Sequence, residues 1–290
     1  MALSIPPTPL RGRRARPGVV RSVGVVLLLV WTLLPVLWAL DLSLQTGAQA
    51  ASKPAHYLPP TPQLANYARL LFGDGDIAES VRQSSVNIVI ECVAATVVTV
   101  VLATLAAYAF ARMTFRGRNA LFYLALATMA FPAYTTLIPL YRIMTGLGLV
   151  NTYTGIVLVY VSGFLPLATW ILHSYLSSLP ISLEEAGTMD GANRMQVLWH
   201  VVLPLALPGV VSTALITFLS AWGQFLFPLV LSTDMSTEPL TVMISSLLGR
   251  HTVPVNLLSA AGMLAIAVPA VLALFLNRYI VNGLLAGSVK

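Results

Sequence analysis

Six stretches of the chain are apolar for about twenty residues or more. They run approximately over Ser22–Leu40, Val86–Ala111, Ala120–Leu140, Thr154–Leu176, Leu207–Leu231 and Leu257–Val281. A helix needs about 20 such residues to cross the hydrocarbon core of a bilayer. The pattern predicts an all-α membrane protein with six transmembrane helices in one bundle, residues 22–281. A basic tail (1–21) and a short tail (282–290) flank it. Two polar stretches interrupt the series: Asp41–Ser85 after the first run, and 177–206 between the fourth and fifth.

The second interruption has a pattern of its own. Leu179-Pro180-Ile181-Ser182 ends the fourth run, and Ser182-x-x-Glu185 fits a capping box. Glu184 and Glu185 in a first turn suit the positive end of a helix dipole. The spacing predicts a short helix from Leu183 to Asp190 and a break at Gly191, where glycine permits a tight turn. A second helix is expected from near Asn193 to His200, with Pro204 and Pro208 punctuating the approach to the fifth span. On residues alone, the insert is either an amphipathic hairpin at the membrane surface or a docking surface.

The longer interruption holds Pro54, Pro59, Pro60 and Pro62, which argue against a long helix there. Gly73-Asp74-Gly75-Asp76 alternates acids with glycines, but the glutamate that completes a calcium loop is missing. It reads as a solvated turn. The spans carry Pro35, Pro132, Pro139, Pro166, Pro228 and Pro269. Such breaks survive in lipid where neighbouring helices or water satisfy the freed carbonyls. A bundle with this many breaks fits a transporter better than a passive anchor.

Composition agrees with the pattern. The chain is 57% apolar and 9% charged, against about 25% charged residues in a soluble domain. Its net charge of +6 says less than where the charges lie. Arg11, Arg13, Arg14, Arg16 and Arg21 precede the first run, and Arg112, Arg116 and Arg118 share one short turn. By the positive-inside bias, both termini, this turn and the 177–206 insert lie in the cytoplasm. The basic residues are not interleaved with aromatics, which argues against nucleic acid as a partner. The single cysteine, Cys92, excludes a disulfide within the chain and a cysteine-based metal site. Ala48-Gln49-Ala50 resembles a cleavage site, but the preceding apolar run exceeds the roughly 7–15 residues of a signal core. The run is read as a retained first span.

The chain has no visible fuel site. A Walker loop ends in Gly-Lys-Ser/Thr, and the two lysines, Lys53 and Lys290, do not fit it. A secondary carrier would need charges inside its spans. Glu91 is the clear candidate, either as a proton-coupling carboxylate or as an interfacial group paired with solvent or with Asn87. A proton-coupled carrier using Glu91 is therefore the alternative reading.

The insert resembles the coupling loop of permease subunits from bacterial ABC importers. That pattern is Glu-Ala-Ala, three residues, Gly, nine residues, then Ile-x-Leu-Pro. This chain has Glu185-Ala186-Gly187, three residues, Gly191, nine residues, then Val201-Val202-Leu203-Pro204. Gly187 stands where the family has alanine, and Val201 where it has isoleucine. Asp190-Gly191-Ala192 is similar to the sugar-importing branch. Asn87, the run Ala106–Arg112 and the ending Gly283–Lys290 also resemble that branch, in its maltose-type second permease. Relatives usually place Asn and an acidic residue after the tryptophan of the fifth span, where this chain has Trp222-Gly223-Gln224-Phe225.

The resemblance implies a non-catalytic transport subunit of a bacterial cell membrane. It would pair with a second homologous permease subunit and two P-loop ATPase subunits, and receive substrate from an extracytoplasmic binding protein. No cofactor is implied in this chain; ATP and Mg would sit on the ATPase partners. Glu184, Glu185, Ala186, Gly187, Met189, Asp190, Gly191, Ala192, Leu203 and Pro204 would form the ATPase-docking loop. The tail residues Gly287, Ser288, Val289 and Lys290 would reach between the ATPase subunits. A sugar is the implied substrate: an oligosaccharide, a polyol or a glycerol phosphate. Asn87, Glu91, Phe218, Trp222, Gln224 and Phe225 are candidates for the pathway wall. Trp222, Gln224, Phe225 and Phe218 would form a sugar-gripping face; ordinary helix packing is the other reading.

Overall fold

The computed structural model describes residues 19–54, 57–59, 61–249 and 253–286, with side chains up to residue 276. Within these limits the chain is helical, without strands. The elements are α1 (Val19–Ser43), α2 (Gly47–Ala50), α3 (Ala65–Phe72), α4 (Asp76–Arg112), α5 (Arg118–Ala127), α6 (Ala133–Gly146), α7 (Tyr153–Ser178), α8 (Ser182–Met189), α9 (Arg194–Val197), α10 (Leu203–Trp222), α11 (Leu226–Leu231), α12 (Leu240–Leu248) and α13 (Val255–Ala286). Five helices are long and apolar enough to span a bilayer, and a bent pair brings the total to six. The basic residues Arg11–Arg16 and the tail residues Gly287–Lys290 lie outside the described residues.

Helix α4 is the spine. Its 37 residues extend about 55 Å at 1.5 Å per residue, well beyond a hydrocarbon core of about 30 Å. It starts ten residues before its apolar run does, because Asp76 and Glu79 favour a helix N-terminus and Ala78, Val81 and Ser84 are buried. The preceding Asp74 and Gly75 are exposed, as a solvated turn requires. Helices α7 and α10 pack on α4, and α1 lies along α13. Small residues line these contacts: Ala95, Ala103, Ala107 and Ala168 are all buried. Without a hydrophobic drive between helices in lipid, close backbone approach supplies the attraction. Gly209 shows the limit: a Cβ there would sit 2.6–2.9 Å from the Tyr175 ring.

Two buried clusters divide the bundle along its length. One gathers Ile88, Cys92, Ile156, Tyr160, Trp222, Met243 and Leu257. The other gathers Ala107, Tyr108, Leu172, Leu176, Val197, Leu198 and Val202 beside the 177–206 insert. The second cluster marks the insert end of the molecule, and the first lies toward the opposite end.

Two of the expected spans are interrupted. The run 120–140 bends by 100° between Ala130 and Ala133. Phe131 adopts an extended conformation (φ −74°, ψ 125°), which a following proline favours, and Pro132 has no N–H with which to continue the helix. The run 207–231 breaks at Gly223–Phe225, between α10 and α11. The freed Gln224 carbonyl accepts from the Thr241 hydroxyl at 3.0 Å, so the break is satisfied inside protein.

Candidate functional site

The insert folds as α8, a glycine turn and α9, with two corrections to the expected detail. Ser182 makes no capping bond; the residue preceding α8 is Ile181 and the capping box does not form. The second helix does not stop near His200. It passes through a wide turn, Leu198–Val202, directly into α10. The Leu203 N–H reaches back five residues to Leu198 O. This wider turn makes room for the Pro204 ring, which would otherwise collide with the preceding turn. Pro204 is the second residue of α10 and has no N–H, so the preceding turn goes without that bond. Pro208 lies inside α10 and does not end it.

The turn itself is closed from both sides. The Ala192 N–H donates to Gly187 O at 3.1 Å and the Gly191 N–H to Thr188 O at 3.0 Å. This is a Schellman closure, and Gly191 takes the left-handed conformation it requires (φ +84°). Asn193 then starts α9: its Oδ1 accepts from the amides of Met195 and Gln196, and the Gln196 Oε1 accepts from the Asn193 N–H. Gly187, the departure from alanine, lies where a Cβ would meet one methyl each of Val197 and Val201 at 3.4 Å. That is ordinary contact, so alanine fits at this position.

The two adjacent glutamates of α8 point to different environments. Glu184 turns inward. Its Oε1 accepts from Arg112 Nε at 2.6 Å, with both side chains close to nine-tenths buried (10% and 12% exposed). The Tyr108 hydroxyl lies 3.4 Å from Glu184 Oε2. Arg112 Nη2 donates to Leu176 O and Leu179 O, both at 2.9 Å. The last carbonyls of α7 are thus satisfied by a guanidinium at the end of α4, a favourable place for a cation. In the sequence Arg112 serves as a topology signal and this role is missed; its position where the apolar run meets the basic turn was the available clue. Glu185 is exposed and, among the described residues, its carboxylate has no hydrogen-bond or ion-pair partner. Ala186 and Asp190 are also exposed, Met189 is 88% exposed, Leu203 is half-buried and Pro204 is exposed. Ile181, Leu183, Met195 and Trp199 add exposed apolar surface that the motif did not indicate. A cleft of about 320 Å³ opens beside the pair, lined by Tyr108, Arg112, Glu184, Glu185, Thr188 and Arg194 among others.

The expected pathway residues do not form one face. Asn87 is buried and all of its hydrogen-bonding positions are used: Nδ2 donates to Met235 O and Glu238 O, both at 3.0 Å, and Oδ1 accepts from Gln83 and Tyr153. Asn87 therefore does not pair with Glu91. Glu91 is buried, and neither of its carboxyl oxygens has a partner among the described residues. Phe218 stacks on Trp222 at 5.6 Å, and the Trp222 indole donates to Ala265 O at 3.0 Å. Gln224 and the exposed Phe225 lie past the end of α10, in the break. Helical spacing failed as a guide here because the helix ends at Trp222. Near Asn87, the Ser236 hydroxyl and amide hold the exposed Asp234 carboxyl below the ordinary aspartate range. No group of metal-ligating side chains is present among the described residues.

This architecture is that of an ABC importer permease. The permease chain of a bacterial ABC transporter that imports the acidic polysaccharide alginate matches with a TM-score of 0.78 at 25% identity. The match covers 90% of this chain and 95% of that one. The chain belongs to the family of binding-protein-dependent transport system inner membrane components, whose pattern matches residues 71–285. It is 34% identical over 270 residues to the sulfoquinovosyl glycerol transport permease SmoH of Agrobacterium fabrum, covering 93% of each chain. It is also 34% identical to the trehalose/maltose transport permease MalG of Thermococcus litoralis, covering 92% of this chain and 95% of that one. The protein is an inner-membrane permease of the sugar ABC transporter family.

Proposed function

We propose that this chain forms half of the translocation pathway of an ATP-driven sugar importer. A homologous permease supplies the other half, and a binding protein delivers the substrate from outside. Both termini and the 177–206 insert face the cytoplasm, in keeping with the distribution of arginines. Helix α8 seats in a cleft of an ATPase subunit, and its displacement by ATP-driven closure rocks the bundle between two packings. The observation that carries this reading is the surface of α8. Glu185 is bare, and Met189 stands exposed beside a turn closed at Gly191. The family spacing from Glu185 to Pro204 supports it.

The substrate class proposed is a sugar: an oligosaccharide, a polyol or a glycerol phosphate. The relatives named for sugar transport support this class. A tagged pull-down from native membranes tests the docking reading. Wild type should bring down a P-loop ATPase and a second permease. The Glu185→Lys/Gly191→Pro double variant should lose the ATPase while remaining in the membrane. Retention of the ATPase by the double variant would remove the docking role from α8.

A further inference from the structure

Helix α8 has little holding it to the bundle. None of its residues is fully buried, and only Glu184 and Gly187 are even partly covered. The chain enters it through Leu179–Ile181 and leaves through the Gly191 turn, and among the described residues its side-chain ties to a spanning helix both run to Glu184, a short ion pair from Arg112 and a longer bond from the Tyr108 hydroxyl. The helix packs chiefly against α9 and the 198–202 turn, its own neighbours in the insert. A helix tied by two short linkers can pivot when it is pushed. It then moves without moving what it is tied to.

Arg112 removes that freedom. One guanidinium joins three elements: it is the last residue of α4, its Nη2 holds Leu176 O and Leu179 O at the end of α7, and its Nε holds Glu184 in the first turn of α8. The fork geometry of arginine lets one side chain make all three bonds at fixed angles, which the single ammonium of lysine does not reproduce. Helices α4 and α7 are the most extensively packed pair of the bundle. Whatever displaces α8 is therefore applied at the ends of both. We infer that Arg112 and Glu184 are positioning residues for transport: the pair makes α8 rigid with α4 and α7, so that ATP-driven motion reaches the pathway. Neither residue touches substrate. The inference rests on the docking reading above and adds to it a division of labour: Glu185 faces the partner, and Glu184 faces the bundle.

The test uses the full transporter in proteoliposomes, with uptake and ATP hydrolysis measured on the same preparation. Its variants are Arg112→Gln, Glu184→Gln and Arg112→Lys. ATPase co-purification is measured first, because loss of the ATPase from the Glu185→Lys/Gly191→Pro variant checks the docking reading separately. Arg112→Gln and Glu184→Gln should retain the ATPase and keep hydrolysis within about twofold. Sugar moved per ATP should fall roughly tenfold. Arg112→Lys should fall between these and wild type. A merely structural role predicts that uptake and hydrolysis drop together with the amount of assembled complex, at an unchanged ratio. An unchanged ratio in the assembled Gln variants, or in Arg112→Lys where those fail to assemble, overturns the inference.

Discussion

The two ends of α4 are fastened by different chemistry. At the far end a neutral amide, Asn87, ties the helix to the 235–238 loop and to Tyr153, and every one of its hydrogen-bonding positions is filled. At the insert end a charge, Arg112, ties it to α7 and α8, beside an open cleft. A saturated neutral group has nothing left to offer a partner, and it holds one arrangement. A charged pair next to a cleft holds its elements while the neighbouring carboxylate, Glu185, stays available. The contrast separates a fastening that closes the fold from one that transmits motion.

The strongest way to break the far end is Asn87→Leu. It strands two carbonyls, a tyrosine hydroxyl and an amide, and should cost roughly 3–4 kcal/mol. Thermal unfolding in detergent should fall accordingly; an unchanged midpoint would mean the amide is not a fastening. Arg112→Ala should cost less, about 2 kcal/mol, because Glu184 then gains water through the cleft. Its larger effect should be on transport. Gly209→Ala, behind the insert, forces a methyl into the Tyr175 ring and should cost about 1–3 kcal/mol. Deep in the bundle, Glu91→Met replaces two unpartnered oxygens and should leave stability equal or about 1 kcal/mol higher. Uptake that survives this change argues against the proton-coupled alternative. Gly187→Ala should stabilise α8 by at most about 1 kcal/mol, with the ATPase still bound. Acidification gives the smallest effect. The Asp234 carboxyl is depressed by its bonds to Ser236, so its contribution is full above the ordinary aspartate range. That contribution is lost as pH falls through the depressed value, loosening the 232–239 loop, and Asp234→Asn should abolish this dependence in hydrogen exchange.

Much of the helical layout was legible because apolar length is a local property. A run of about 20 apolar residues can be read without knowing its neighbours. The turn at Gly191 was legible for the same reason: a Schellman closure uses backbone groups within six residues. Breaks inside spans were less visible. Pro132 stood in plain sight, yet five other spans-with-proline positions gave no basis for singling it out, and Pro139 and Pro166 remain inside helices. The break after Trp222 carries no proline at all.

The sequence by itself determined that the chain is a helical membrane protein with a helix–turn–helix insert, because hydropathy and the glycine turn act over short stretches. It also carried the spacing by which the family is known. Only the tertiary structure decided which charge does what. Arg112 and Glu184 are 72 residues apart, and Asn87 lies about 150 residues from the carbonyls it holds, as its separations of 148 and 151 show. Such pairs leave no periodic trace along the chain. They exist because close packing of α4 against α7 brings distant ends together, and a polar group in that interior is held wherever it finds a partner.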